Sequence, residues 1–337
     1  MDRRPRSQRA LPLVRWAVQG AYALFLVLVG VQFAVFYGQA MAGNSAMVSR
    51  PPAVEAFLPI SALVGLRRFL ATGSWDHVHP AGLAILCAAI LGAFLARKSF
   101  CSWVCPVGTL ERGLESVGRR FLWRRGWPVP PRWLALALTA PKHLIVAFFA
   151  VSIFVLMPTD QLGAFLESDY NLAADAKMLL FFRDLTPVAA AVLLALAALS
   201  LVYKHFWCRV LCPYGALLGV ASSFSPLRVD RNEPTCTQCK ACTRACPVDI
   251  PVHARRQVVS AECTGCLGCV AACPEPQTLR VALPVRRRPV ASWLVPALGV
   301  GALLAVWAVA RATGHWESQV PAEVLARLYR MAHLLSH

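Results

Sequence analysis

The chain has 337 residues, 57% of them hydrophobic and 15% charged, with a mean hydropathy of +0.54. That is too apolar for a soluble domain of this size. The formal net charge of +17 would suit a nucleic-acid binder, but the placement of the basic residues speaks against that class.

Charge-poor apolar runs fall at residues 16–38, 78–96, 133–157, 185–203 and 290–310. Each approaches the roughly 20 residues needed to cross about 30 Å of hydrocarbon. With the N-terminus inside, segments 1–15, 97–132 and 204–289 are internal and carry 25 Lys and Arg, whereas 39–77, 158–184 and 312–337 are external and carry 7. Lys142 and Arg311 lie in or at the ends of spans. Such a bias is the positive-inside rule, so the bases act mainly as topology signals, aided by anionic headgroups. The expected location is a bacterial inner membrane, crossed several times. The first run is longer than the core of a signal peptide and reads as an uncleaved span.

The second and fourth runs belong to an internal repeat. Each leads into a C-x3-C-P-x-G sequence, so Cys101, Cys105, Pro106 and Gly108 correspond to Cys208, Cys212, Pro213 and Gly215 at a constant offset of 107. Each repeat reads as a hairpin of two spans, with its cysteine pair at the frayed inner end of a span. Cysteines four apart share one helix face, and the proline disfavours helix just before it. Thiols on the inside are kept reduced, which points to a metal centre or a dithiol relay formed by these four. Soft thiolates suit Cu(I), zinc or iron–sulfur species. The alternative is small apolar packing, the reading taken for Cys87 in the middle of the second run. In the outer loop of the first hairpin, the stretch 54–70 reads as an interfacial or re-entrant helix; between the hairpins, the basic, tryptophan-rich segment 109–132 reads as a headgroup-facing surface.

Residues 228–283 form a compact cysteine-rich module. Cys236-x2-Cys239-x2-Cys242-x3-Cys246-Pro247 is followed by Cys263-x2-Cys266-x2-Cys269-x3-Cys273-Pro274. This is the bacterial ferredoxin pattern for two [4Fe–4S] clusters, in which the fourth cysteine of each run crosses to the other cluster. One cluster takes Cys236, Cys239, Cys242 and Cys273, and the other takes Cys263, Cys266, Cys269 and Cys246. Zinc sites use four ligands in paired C-x2-C units and do not call for eight cysteines in this order. About 55 residues build little core of their own, so bound clusters are expected to hold the module folded. No C-x-x-C-H sequence occurs, which excludes attached c-type haem.

The fold class expected is an all-α membrane bundle of about five helices with a two-hairpin repeat, plus a small α+β dicluster ferredoxin domain. Its parts are a basic N-terminus (1–15), a four-helix membrane domain (16–220), the module (228–283), a fifth span (290–310) and a short outer tail (311–337).

This layout resembles the NapH/MauN type of quinol dehydrogenase membrane component, whose core is shared with NosR and CcoG proteins. The resemblance rests on Lys98, Cys101, Cys105, Pro106 and Gly108, on Lys204, Cys208, Cys212, Pro213 and Gly215, and on the eight module cysteines. It covers residues 13–283, and the fifth span is additional to the usual NapH-like core. It implies electron transfer between quinone or quinol and a partner redox protein through the two clusters. The copper-handling branch implies the alternative, metal reduction or metalloenzyme assembly by the C-x3-C-P cysteines. Candidate quinone residues are Lys142, His143 and His79. Lys142 reads equally as a charge snorkelling to the surface. His79, with Asp76 and His77, reads either as a cluster that takes protons from a quinol or as a solvated loop before Pro80.

Overall fold

The fold comes from a computed structural model, which describes residues 6–43, 48–123, 127, 131–284 and 287–331. The extreme N-terminus of the basic leader, parts of the tryptophan-rich loop and residues 332–337 of the tail lie outside the described residues.

In chain order the helices are α1 (Arg6–Ala42), α2 (Pro59–Thr72), α3 (Pro80–Ala96), α4 (Ser99–Trp103), α5 (Pro106–Phe121), α6 (Arg132–Val151), α7 (Thr159–Leu166), α8 (Asp169–Leu172), α9 (Ala174–Arg183), α10 (Pro187–Val202) and α11 (Pro213–Ser223). Strand β1 (Arg228–Arg231), α12 (Ala241–Arg244), α13 (Gly268–Ala272), β2 (Leu279–Ala282) and β3 (Pro289–Val290) make up the module. The chain closes with α14 (Leu294–Ala312) and α15 (Ala322–Met331).

Among the described residues, three helical stretches are long and apolar enough to cross a membrane: Gln8–Ala42, Trp133–Leu156 and Leu294–Ala312. A fourth crossing is available if α9 and α10, bent by 81°, act as one broken span. The second expected span is α3, an apolar helix of 17 residues, at the lower end of what reaches across hydrocarbon. Proline opens both short helices of the repeat, at Pro80 and Pro187. Pro at the first helical position costs no hydrogen bond and has the right φ. α3 ends because Arg97 takes a left-handed φ of +61°. The stretch 54–70 folds as a 3₁₀ turn, Pro52–Phe57, followed by α2, which closes on Gly73 at φ +72°.

The chain packs as two compact units. The first comprises residues 1–23, 89–146 and 194–303, and the second 24–88, 147–193 and 304–337. The cysteine module therefore shares one unit with the C-x3-C-P junctions. In that unit β1 pairs antiparallel with β2 in the register Arg228↔Ala282, and β2 pairs with β3. Its core joins Trp103, Val104, Leu227, Val229, Leu267, Val270, Leu279 and Val281. In the second unit α15 is not a loose tail. Tyr329 is fully buried and packs edge-on against Phe33 and Phe36.

Candidate metal centres

In the module, matched positions of the two cysteine runs share a backbone device. Gln238 and Lys240 in the first run, and Gly265 and Leu267 in the second, all have φ between +55° and +62°. Left-handed residues between successive cysteines curl the loop so that its thiols face one centre. Only the second run needs glycine for this. A Cβ at Gly265 would lie 2.9 Å from the carbonyl oxygen of Ala96.

A cavity of about 320 Å³, counted with its open mouth, is lined by Cys236, Cys239, Cys242 and Cys273, with Arg231 and His253 among the other walls. Three cysteines of the first run and the crossing cysteine of the second thus meet at one hollow. At the other site burial pushes the Cys246 thiol up to about 12, and the thiols of Cys266 and Cys263 are its charged neighbours. Burial likewise raises Cys269, whose neighbours include Cys266, Cys246 and Cys263. Cys273 thus lies with the first run at one hollow, and Cys246 lies beside Cys263, Cys266 and Cys269, a donor set of thiols that fits iron–sulfur ligation. Such thiols lose their protons to a bound metal, and a cluster held there supplies one-electron chemistry.

The C-x3-C-P pairs do not sit at frayed span ends, as the proline suggested. Each is a junction between two helices. Cys101 lies in α4, and Cys105 is the N-cap of α5, with Pro106 at its first position. Cys208 lies in a π-helical turn, Trp207–Leu211, and Cys212 is the N-cap of α11. The proline starts the next helix rather than ending the last one. Helix starts present unpaired N–H groups, and these point at sulfur. Gly215 N–H donates to Cys212 Sγ at 3.3 Å, and the Gly108 and Val107 N–H groups do the same for Cys105. Gly108 is obligatory, because a Cβ there would collide with the Cys101 carbonyl oxygen.

All four thiols are pushed up from the ordinary cysteine range, first by burial. Cys105 and Cys212 are charged neighbours of Cys101, and Cys105, Cys212 and Cys101 are neighbours of Cys208. The cysteine pairs of the two repeats are thus electrostatic neighbours. Among the described residues no three His, Cys, Asp or Glu side chains converge as they would on a single ion. The module cysteines share that wide spacing, which a multi-iron core spans.

Lys142 does not snorkel. It is fully buried, and its Nζ lies 2.7 Å from Glu262 Oε2, which Lys98 also approaches at 3.2 Å. Burial alone would raise the Glu262 carboxyl, but the two ammonium groups outweigh it and hold it below the usual carboxylate range. His143 is exposed and bonds only back to the Thr139 carbonyl, at 2.8 Å. His79 is in the other unit and is not solvated, since it and Asp76 are each 1% exposed. Its Nε2–H donates to the Asn171 carbonyl at 2.8 Å, while Nδ1 lies 3.4 Å from Arg50 Nη2 and 3.6 Å from Glu55 Oε1. Arg50 also holds Asp175 at 2.6 Å, and Tyr329 donates to the same carboxylate at 2.7 Å. Arg50, Glu55, Asp175 and Tyr329 did not stand out in the sequence. Their only signal was charge at the edges of apolar runs.

Residues 78–126 and 185–231, which hold the two repeats, match the family described as "4Fe-4S binding domain". Residues 228–274 match "4Fe-4S dicluster domain". Over 304 residues the chain is 39% identical to the putative electron transport protein YccM of Escherichia coli K12, covering 88% of this chain and 84% of that protein. It is 28% identical over 244 residues to the ferredoxin-type protein NapH of the same organism, covering 69% of this chain and 75% of NapH. The chain belongs to the NapH/MauN-type family of ferredoxin-type proteins. It is a membrane iron–sulfur electron-transfer protein. The family also includes the methylamine utilization ferredoxin-type protein MauN of Paracoccus denitrificans, 27% identical over 187 residues, which are 52% of this chain and 58% of MauN. No solved structure matches this NapH/MauN-type chain.

Proposed function

We propose that this chain passes electrons between the quinone pool and a partner redox protein, with two [4Fe–4S] clusters held by the eight module cysteines. The observation that carries this reading is that Cys273 lines one hollow with Cys236, Cys239 and Cys242, while Cys246 neighbours Cys263, Cys266 and Cys269; a fourth cysteine crossing to the other set is the mark of a dicluster electron carrier. The C-x3-C-P thiols, Cys101, Cys105, Cys208 and Cys212, form an additional redox or metal site in the same unit. Backbone N–H donors at Cys105 and Cys212 favour the charged form of those two sulfurs, as ligation requires. The module faces the cytoplasm of a bacterial inner membrane, consistent with the positive-inside bias.

Of the three candidate quinone residues, His79 has surroundings suited to proton exchange. Its Nδ1 faces both a carboxylate and a guanidinium. Lys142 is engaged by Glu262, and His143 is bonded to its own helix.

EPR and metal analysis of the purified protein test the reading. A short-chain quinol is expected to reduce two magnetically coupled [4Fe–4S] centres containing about eight irons. Iron beyond eight that is lost in the Cys101→Ser and Cys208→Ser variants assigns a third iron–sulfur centre to the thiol group. Stoichiometric copper lost in the same variants would favour metal handling instead. Clusters that no quinol reduces would overturn the electron-transfer reading.

A further inference from the structure

The two halves of the cysteine module repeat each other in sequence, yet their ligand loops have unlike surroundings. The loop 260–266 is gripped along its length within its own unit. Arg97 donates to the Ser260 carbonyl, and Ser222 Oγ to that of Ala261 at 3.4 Å. Lys98 and Lys142 clasp Glu262. Ser102 donates to Thr264 O at 2.7 Å, Trp103 Nε1 to Gly265 O at 3.2 Å and Arg15 to Cys266 O at 2.8 Å. Asp249, three residues beyond Cys246, is held by Lys204 at 2.9 Å and Arg209 at 2.7 Å. Cys263, Cys266 and Cys246 therefore lie in segments fastened to the C-x3-C-P junctions.

The matching loop of the first run is open. Among the thirteen cysteines, Cys239 alone is exposed. The bonds of this loop stay inside the module, from Cys236 N–H to Glu233 O and from Thr243 to His253. Four exposed bases lie on it and on the segment that follows: Lys240, Arg244, Arg255 and Arg256. Lys240 and Arg244 stand four apart on the α12 turn, and His253, two residues before Arg255, lines the same hollow as Cys239. The one acid between Cys236 and Arg256 is Asp249, already taken by Lys204 and Arg209. Of the acids just outside that stretch, Glu233 is paired with Arg231, and Glu275 sits in the cavity wall.

We propose that the face formed by Cys239, Lys240, Arg244, Arg255 and Arg256 is the docking surface for an acidic electron-carrier protein. Redox encounters use small, polar contacts and depend on charge steering to find the right face. A basic rim around the one exposed ligand cysteine meets both needs. The inference rests on the electron-transfer reading and adds where the carrier binds and which charge it bears.

The test uses the full chain in phosphatidylcholine nanodiscs, with two probes of similar size. These are plastocyanin, an acidic copper protein, and cytochrome c, a basic haem protein. Equilibrium binding is expected to favour plastocyanin by about tenfold at low salt, and the preference should shrink as salt shortens the screening length to about 8 Å. The K240E/R244E variant should lose the preference while keeping its cluster EPR signals. The R119E/R120E variant, with the same charge change on α5, should retain it. A neutral dysprosium chelate should relax the EPR signal that Cys239→Ser alters, and spare the other.

Equal binding of the two probes overturns the proposal, as does equal loss in both charge variants, which would reduce the effect to net charge. Relief of both signals alike by the chelate also overturns it. If K240E/R244E instead abolishes binding to phosphatidylglycerol vesicles and leaves plastocyanin binding intact, the face belongs to lipid. Failure of quinol to reduce any cluster is a separate result, which sinks the electron-transfer reading whatever the probes do.

Discussion

At the scale of single residues, Glu262 shows how charge is distributed at the junction. Two lysines converge on its one carboxylate, Lys142 from α6 and Lys98 from the turn after α3. Removing the acid strands two ammonium groups that are 0% and 4% exposed at their side chains. Removing one lysine leaves the carboxylate still paired. Glu262→Gln should therefore destabilise the unit by about 1–3 kcal/mol, after discounting for its partial exposure. Lys142→Met, which swaps in an apolar side chain of similar length, should cost clearly less. Denaturant midpoints of the two variants in the same detergent check the order.

The sequence made part of this site readable. Ligand spacing in an iron–sulfur loop is local, so a 4Fe-4S module could be read directly from C-x2-C-x2-C-x3-C-P. Lys98 and Lys204 could also be read, because they stand three and four residues before the repeated cysteines. Their partners could not, since Glu262 and Asp249 lie 164 and 45 residues further along the chain. The available hint was that both acids stand within three residues of a cluster cysteine, as Glu233 and Glu275 also do. Burial of His79 was hidden for a similar reason. It depends on Arg50, Glu55 and Asn171 arriving from other loops.

At the scale of elements, the junctions are tied as well as turned. Glu115 on α5 meets His205 Nε2 at 3.0 Å, where the chain reverses after α10. Burial works to raise the Glu115 carboxyl, but the bond and charge of His205, with Lys204 and Arg119, bring it below its ordinary value. A carboxyl with a depressed folded pKa stabilises above its unfolded value of about 4.3, and that stability disappears as pH falls through the lower folded value. Glu115→Gln should thus be less stable than the parent at pH 7, by no more than about 1 kcal/mol for a pair in partial contact with water. The difference should close as the pH drops below about 4, and pulse proteolysis across that range measures it. Helix boundaries at Pro80, Pro106, Pro187 and Pro213 could be read from the sequence. The π turn at Trp207–Leu211 could not, because no residue type marks an extra residue in a helical turn.

At the scale of the whole molecule, the apolar runs and their charge bias anticipated a helical membrane protein bearing a small ferredoxin module. The division into units was not anticipated. Apolar periodicity locates helices, but it does not say which end of a long helix packs with which loop. The orientation argued from charge has a direct check. Lys240, exposed and outside the ligand set, should react with a membrane-impermeant amine reagent in inverted vesicles and stay unlabelled in intact spheroplasts. The reverse pattern would place the module on the outer side.

The junction glycines and the π turn together limit how far the duplication can still be treated as one. The chain reverses at Arg97 in the first repeat and at His205 in the second, one residue later by the 107-residue offset. The short turn that follows is α in one and π in the other. Around Gly108 there is no room for a methyl group, whereas the nearest atoms to a Cβ at Gly215 are 3.7 Å away. The copies have become left and right parts rather than spares. A chimera carrying either repeat twice would keep every cysteine and still present its thiols out of register.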